Sequence, residues 1–204
     1  MTRVIAGIAG GRRLAVPPGT TTRPTSDRAR EGLFASLLSE LGTFDGARVL
    51  DLYAGSGAIG LEALSRGADQ VKLVESDPRA AAVIKANITA VGLPGATLAV
   101  DRVERLLAHP PADRKNQFDL VIADPPYAVT EEAVTRVLTL LQAGWLADDA
   151  LLVIERATRS GPVDWPPGFL PGKSRRYGEA TFWYGWHGGE AGSGQPGTAS
   201  RSEA

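Results

Sequence analysis

The sequence predicts an α/β fold, a parallel sheet with helices on both faces, preceded by a β-hairpin. Three observations predict it. From residue 47 onward, apolar runs of strand length alternate with segments of helical periodicity. A glycine-rich turn, DLYAGSGAIG (51–60), joins the first such strand to the first such helix. Several predicted strands also end on an acid, at Asp51, Glu75, Asp101 and Asp124, which is where an open α/β sheet keeps its ligands.

Each element follows from local pattern. In RVIAGIAGGRRLAVPPG (3–19), Val4-Ile5 and Leu14-Ala15-Val16 flank Gly10-Gly11, a hairpin with Arg12 and Arg13 near its bend. TTTRPTSDRARE (20–31) is an irregular joint in which Thr25, Ser26 or Asp27 caps a helix. Leu33, Phe34, Leu37, Leu38 and Leu41 recur at helical spacing. Strands are expected at 47–54, 70–76, 96–100, 118–123 and 150–156, and helices at 58–66, 78–91, 102–108 and 131–141. Pro78 suits a first helical turn. KSRRYG (173–178) and ATFWYGW (180–186) read as a terminal antiparallel pair whose aromatic residues cover a sheet face. The expected division is a hairpin extension at 1–22, a main domain at 23–187, and a glycine- and serine-rich disordered tail at 188–204.

Composition excludes several chemistries. The chain has 204 residues and no cysteine, so disulfides, zinc–thiolate sites and cysteine nucleophiles are out. His109 and His187 are its two histidines, too few for a multi-histidine metal centre, and no metal is expected. The longest apolar runs are short and broken by charge, so neither a signal peptide nor a membrane span is expected and the cytoplasm is the default compartment. A monomer is expected. Net charge is −1, but residues 1–30 carry six arginines and one acid. A basic head on an acidic body suits a polyanionic partner.

The glycine turn matches G-x-G-x-x-G at Gly55, Gly57 and Gly60, with Glu75 at the tip of the next strand. That pattern admits a nucleotide whose ribose hydroxyls the acid would hold. Asp51 bears on which nucleotide. A carboxylate facing the cleft repels a pyrophosphate and attracts a cation. S-adenosylmethionine carries a sulfonium and an ammonium and has no phosphate. Asp51, Gly55, Gly57 and Glu75 would form its site, with Asp77 a further ribose candidate and Asp101-Arg102 near the adenine edge.

Asp124-Pro125-Pro126-Tyr127 ends the fourth strand at the same edge. A nucleobase amine is a poor nucleophile because its lone pair is delocalised into the ring. Acceptors on its hydrogens draw the nitrogen toward tetrahedral geometry. The Asp124 side chain and the Pro125 carbonyl can be those acceptors, the prolines hold them rigid, and Tyr127 offers a stacking face. A base within folded RNA must be splayed out to reach such a pocket.

With these residues the chain resembles the RsmD-type family of bacterial 16S rRNA guanine-N2 methyltransferases, from about Arg3 to His187. The marks are RVIAGIAGGRRL, RPTSDRAREGLF, DLYAGSGAIGLEALSRGA, LVESD, DPPY and GWL. The resemblance implies a Rossmann-like, seven-stranded class I S-adenosylmethionine-dependent methyltransferase fold with an N-terminal β-hairpin extension. It implies methylation of the exocyclic amine of guanine 966, with the small subunit or its assembly intermediates as partner. It places the cofactor motif on Asp51, Ala54, Gly55, Ser56, Gly57 and Glu75, with Ser76 beside it, and the catalytic motif on Asp124, Pro125, Pro126 and Tyr127. It also implies that the RPTSDR segment borders the cleft, so that Arg23, Thr25 and Asp27 position cofactor or target. Arg3, Arg12, Arg13, Arg23, Arg28 and Arg30 are expected to meet phosphates, with Arg175 and Arg176 extending that surface.

Three other readings stay open on sequence alone. A DNA adenine or cytosine amino-methyltransferase would use the same chemistry. A nicotinamide oxidoreductase would use the glycine turn but leave Asp-Pro-Pro-Tyr unexplained. A non-catalytic RNA-binding assembly factor would use only the basic head.

Overall fold

The computed structural model of the chain describes residues 2–18 and 27–188. Strands β1 (Thr2–Arg3) and β2 (Arg13–Leu14) form a small antiparallel sheet. Helix α1 (Asp27–Leu41) follows, then β3 (Arg48–Leu52), α2 (Ala58–Ser65), β4 (Gln70–Glu75), α3 (Pro78–Val91), β5 (Ala96–Val100) and α4 (Val103–Leu107). Next come β6 (Phe118–Ala123), α5 (Glu131–Gln142), β7 (Leu146–Ala157), β8 (Phe169–Tyr177) and β9 (Ala180–His187). The main sheet has seven strands in the order β5-β4-β3-β6-β7-β9-β8. Strands β3 to β7 pair in parallel, while β9 is antiparallel to both β7 and β8.

The apolar strand runs are continuous because both faces of the sheet are covered. Alternate residues divide between the faces. Leu50, Leu52, Val121, Ala123, Leu152 and Ile154 pack with Val103, Leu107, Val134, Leu138 and Leu141 from α4 and α5. Val49, Leu120, Ile122, Leu151 and Val153 pack with Leu33, Phe34, Leu37, Ala63 and Ile84 from α1, α2 and α3.

One element differs from its predicted form. Strand β7 begins at Leu146, before the predicted 150, because a register shift between Phe118 and Leu120 lets Leu146 pair with Phe118. The terminal antiparallel pair completes the seven strands at the β7 edge, and its aromatic side chains alternate between the faces, with Phe182 and Tyr184 packed on the α1 side and Trp183 on the other.

The N-terminal hairpin is tied to the body by buried polar groups. Glu62 of α2 is fully buried, and its carboxylate accepts the N–H groups of Ile5 at 2.6 Å and Ala6 at 3.0 Å. The Arg66 guanidinium donates to the same group at 2.7 Å. Ser65 Oγ donates to the Ala6 carbonyl at 2.6 Å and accepts from Ala9 N–H at 2.9 Å. Gly7 has φ +83°, and a Cβ there would lie 1.9 Å from the Ser65 carbonyl oxygen, so only glycine permits this approach. Asn87 of α3 closes the other end. It bonds the N–H and carbonyl of Ala15 at 2.8 and 3.0 Å, and donates to the Ser56 carbonyl at 2.8 Å.

Removing the Glu62 carboxylate leaves two backbone donors and a guanidinium without their acceptor. Glu62→Ala is expected to cost about 3 kcal/mol in urea unfolding, and proteolysis of the hairpin should accelerate with it.

Candidate active site

A cavity of about 270 Å³ opens at the C-terminal edge of the sheet. It lies where the strand order reverses between β3 and β6, the position at which open α/β sheets take ligands. Its carboxylates are Asp51, Glu75, Asp77, Asp124 and Glu155, and Arg30 is the one basic side chain among its lining residues. Such a wall suits a cationic ligand and opposes a pyrophosphate. Among the described residues, no group of three or more carboxylates or imidazoles is placed to hold a metal ion.

Asp51 is the penultimate residue of β3 and is 3% exposed. Its Oδ2 accepts the Gly60 N–H at 2.9 Å, which fixes the start of α2 against the strand. Gly60 has no room for a side chain, since a Cβ would meet Leu73 and Val71 at 2.8 Å. Burial raises the Asp51 pKa to about 7, with Glu75 adding to it and the Gly60 N–H opposing it. The chain then turns through Tyr53 at φ 60°. Gly55 at φ 58° faces open space, its nearest neighbour 4.0 Å from a built Cβ, so a ligand can approach the backbone.

Glu75 is oriented by two backbone donors. Oε2 accepts Gly55 N–H at 2.9 Å and Oε1 accepts Asp77 N–H at 2.8 Å. Each oxygen has a further lone pair for a ribose hydroxyl. Asp77 caps α3 through the Arg79 N–H at 2.9 Å, ahead of Pro78 at the first turn. The carboxylates suit the two positive charges of S-adenosylmethionine, Glu75 suits its diol, and Gly55 suits its close approach. Val16, Pro17, Ile59 and Ala80 supply apolar wall.

Asp124, Pro125, Pro126 and Tyr127 form the opposite wall. Val129 N–H donates to the Pro126 carbonyl at 2.8 Å, closing a turn behind the prolines. Arg156 clamps that turn from β7. It donates to the Val129 carbonyl at 3.0 Å and to Glu131 Oε2 at 3.4 Å. The Asp124 pKa is raised well above the usual carboxylate range by burial, then by Glu155 and Asp51. Tyr127 is 57% exposed at the mouth, as a stacking surface must be. Burial and the charges of Glu155, Asp124 and Glu179 raise its pKa, against Arg159.

The structure brings Asp51, Ala54, Gly55, Ser56, Glu75, Ser76 and all of Asp124–Tyr127 to one cavity. Gly57 stands behind the wall, where a Cβ would meet Leu73 at 3.2 Å. Asp101 and Arg102 are not among the lining residues. Asp101 N–H donates to the Glu75 carbonyl, and its side chain is taken by Arg105 at 2.5 Å. Arg23 and Thr25 lie outside the described residues. Asp27 bonds Thr2 at 2.9 Å and Arg30 at 3.1 Å rather than lining the cavity.

Arg30, expected to meet phosphate, is 1% exposed and so is not a surface contact. Its guanidinium donates to Thr2, to the Arg3 carbonyl and to Asp27, because α1 turns it inward toward the cavity. Arg12 is exposed but donates to the Ala90 and Val91 carbonyls at the end of α3. The residues that sequence reasoning missed include Tyr53, Ile59, Arg30 as a cavity residue, and Glu155. Glu155 carried a signal, since ALLVIER brings an acid to the end of its strand as the other parallel strands do.

The chain matches the family model described as Conserved hypothetical protein 95 over residues 2–186. It is 35% identical to Ribosomal RNA small subunit methyltransferase D of Escherichia coli, over 80% of each chain. The solved structure of Escherichia coli yhhF superposes with a TM-score of 0.79 and 30% identity, covering 92% of this chain and 98% of that one. Magnesium protoporphyrin IX methyltransferase from Synechocystis, solved with S-adenosylmethionine, shares the fold alone, at TM-score 0.61 and 16% identity over 78% of each chain. The fold is the seven-stranded class I methyltransferase fold.

Two expectations follow from this geometry. In the free protein Asp51 favours its neutral form up to about pH 7, so its contribution to folded stability is lost as pH rises through that value. A bound cation favours the ionised form. S-adenosylmethionine should therefore bind roughly tenfold more tightly at pH 8 than at pH 6 by calorimetry, and Asp51→Asn should flatten that dependence. Arg156→Ala should loosen the turn behind the prolines. Turnover is expected to fall about tenfold while cofactor affinity stays within about twofold, measured by steady-state kinetics beside calorimetry.

Proposed function

The chain belongs to the family described as Conserved hypothetical protein 95, and we propose that it is an S-adenosylmethionine-dependent methyltransferase of 16S ribosomal RNA. The finer reading is transfer to the exocyclic N2 amine of guanine 966 during small-subunit assembly in the cytoplasm. One observation carries it: Asp124-Pro125-Pro126-Tyr127 shares a cavity with Gly55 and Glu75. A cofactor pocket alone would not need the second wall. A similar relative, Ribosomal RNA small subunit methyltransferase D of Escherichia coli, supports RNA as the substrate class.

Asp51, Ala54, Gly55, Ser56, Glu75 and Ser76 would hold the cofactor, with Asp101, whose N–H bonds the Glu75 carbonyl, and Arg102 toward the adenine edge. When bound, S-adenosylmethionine supplies an electrophilic methyl group. The Asp124 carboxylate and the Pro125 carbonyl accept the amine hydrogens and aim the nitrogen lone pair into the cavity. The prolines and the Arg156 clamp remove the need to order these acceptors during reaction. Tyr127 stacks on the base. Asp124 takes the proton that the amine gives up, a role suited to a carboxylate whose affinity for protons is raised.

The N-terminal extension, residues 1–22, would dock the RNA ahead of the catalytic unit at 23–187. Arg3, Arg13 and Arg28 are exposed and offer the phosphate contacts. Their contribution sets affinity and register and leaves base choice to the pocket.

The test is transfer of labelled methyl groups to unmodified small subunits, naked 16S rRNA and DNA, with mass mapping of the product nucleotide. Label on guanine 966, strongest in the particle, is the expected result, and label in DNA alone would overturn the RNA reading. Asp124→Ala should lower transfer at least a hundredfold, a magnitude on the order of a lost acid–base group, while cofactor still binds. In the wild type the acid limb of the rate should lie above the ordinary carboxylate range, because Asp124 must ionise to accept the amine hydrogen.

A further inference from the structure

Beside Asp124 stands a carboxylate that neither the cofactor loop nor the Asp-Pro-Pro-Tyr turn accounts for. Glu155 is 7% exposed and lines the cavity. Its position follows from register. Strands β6 and β7 run parallel with Ala123 opposite Ile154, so Asp124 and Glu155 are the next residues of neighbouring chains. Neighbouring strands lie about 5 Å apart. Glu155 is close enough to oppose ionisation of both Asp124 and Tyr127. Leu151 and Val153, on the same face of the strand, are apolar and fully buried. Glu155 therefore sets a second carboxylate beside Asp124 in the cavity wall.

Nucleobases that carry an exocyclic amine differ at the ring nitrogen beside it. In guanine that nitrogen, N1, bears a hydrogen and donates. In adenine N1 and in cytosine N3 it bears a lone pair and accepts. Two adjacent acceptors on the protein match the two adjacent donors that guanine presents. Against adenine or cytosine the second acceptor would face a lone pair, leaving two buried acceptors opposed.

We propose that Glu155 selects guanine by accepting its N1–H while Asp124 and the Pro125 carbonyl hold the neighbouring amine. The proposal rests on the reading of the cavity as a guanine-N2 methyltransferase site. It makes Glu155 a specificity-determining residue in direct contact with the base. A pocket built around a hydrogen bond rejects an analogue lacking the donor by a factor of roughly 10⁴, far more than shape alone supplies.

The test uses small subunits reconstituted with 16S rRNA carrying guanine or 2-aminopurine at position 966. 2-Aminopurine keeps the exocyclic amine at C2, but its N1 accepts. The wild-type protein should prefer guanine in kcat/KM by at least about a hundredfold. Glu155→Gln can turn its amide N–H toward the N1 of the analogue, and the preference should shrink at least about tenfold. Glu155→Asp, still an acceptor, should keep the preference at a lower rate. Cofactor affinity of each variant, measured by calorimetry, reports that the fold is intact. Equal losses on both substrates, with the preference unchanged in Glu155→Gln, would overturn the proposal and leave the underlying reading standing. Absence of transfer to guanine by the wild type would overturn both.

Discussion

Everything in this cavity depends on holding several carboxylates at one edge of a parallel sheet. Asp51, Glu75, Asp124 and Glu155 arrive there because parallel strands all present their C-terminal ends on the same side. Like charges in a partly dry site repel, and burial adds to the penalty. The raised proton affinities of Asp51 and Asp124 are the direct expression of that conflict. The fold relieves it with backbone donors, Gly60 N–H on Asp51 and the N–H groups of Gly55 and Asp77 on Glu75. What remains is a negative pocket whose electrostatics improve when a cation enters.

The scaffold around the pocket spends its buried polar groups on rigidity. Glu62, Ser65 and Asn87 lock the hairpin to α2 and α3, and Asn87 reaches on to the Ser56 carbonyl in the glycine turn. Arg156 does the same for the opposite wall through Val129 and Glu131. Both walls are thus braced by side chains that lie outside the motifs themselves.

The basic head is less uniform than its charge count. Arg30 is spent inside, bracing Thr2 and Arg3 beside the cavity, and Arg12 is partly spent on the last carbonyls of α3. A guanidinium that donates to backbone is a structural cap as well as a charge. Arg3, Arg13 and Arg28 stay exposed to solvent.

Read alone, the chain determined its fold class, the positions of its parallel strands and the glycine turn between β3 and α2. Those features come from local periodicity and from glycine and proline chemistry, which neighbours in sequence suffice to express. It also determined Asp124–Tyr127 as a unit, because four consecutive residues need no fold to be adjacent. The tertiary structure alone decided what stands next to them. Glu155 lies beside Asp124 through strand register, Arg30 enters the cavity from a helix that precedes the sheet, and Asp101 accepts a hydrogen bond from Arg105. The destination of the aromatic terminal strands was decided in the same way, since joining an edge satisfies backbone groups that lying across a face would leave unpaired. Pairings between distant segments depend on which strand edges meet, and a one-dimensional pattern of apolar and polar residues does not encode that choice locally.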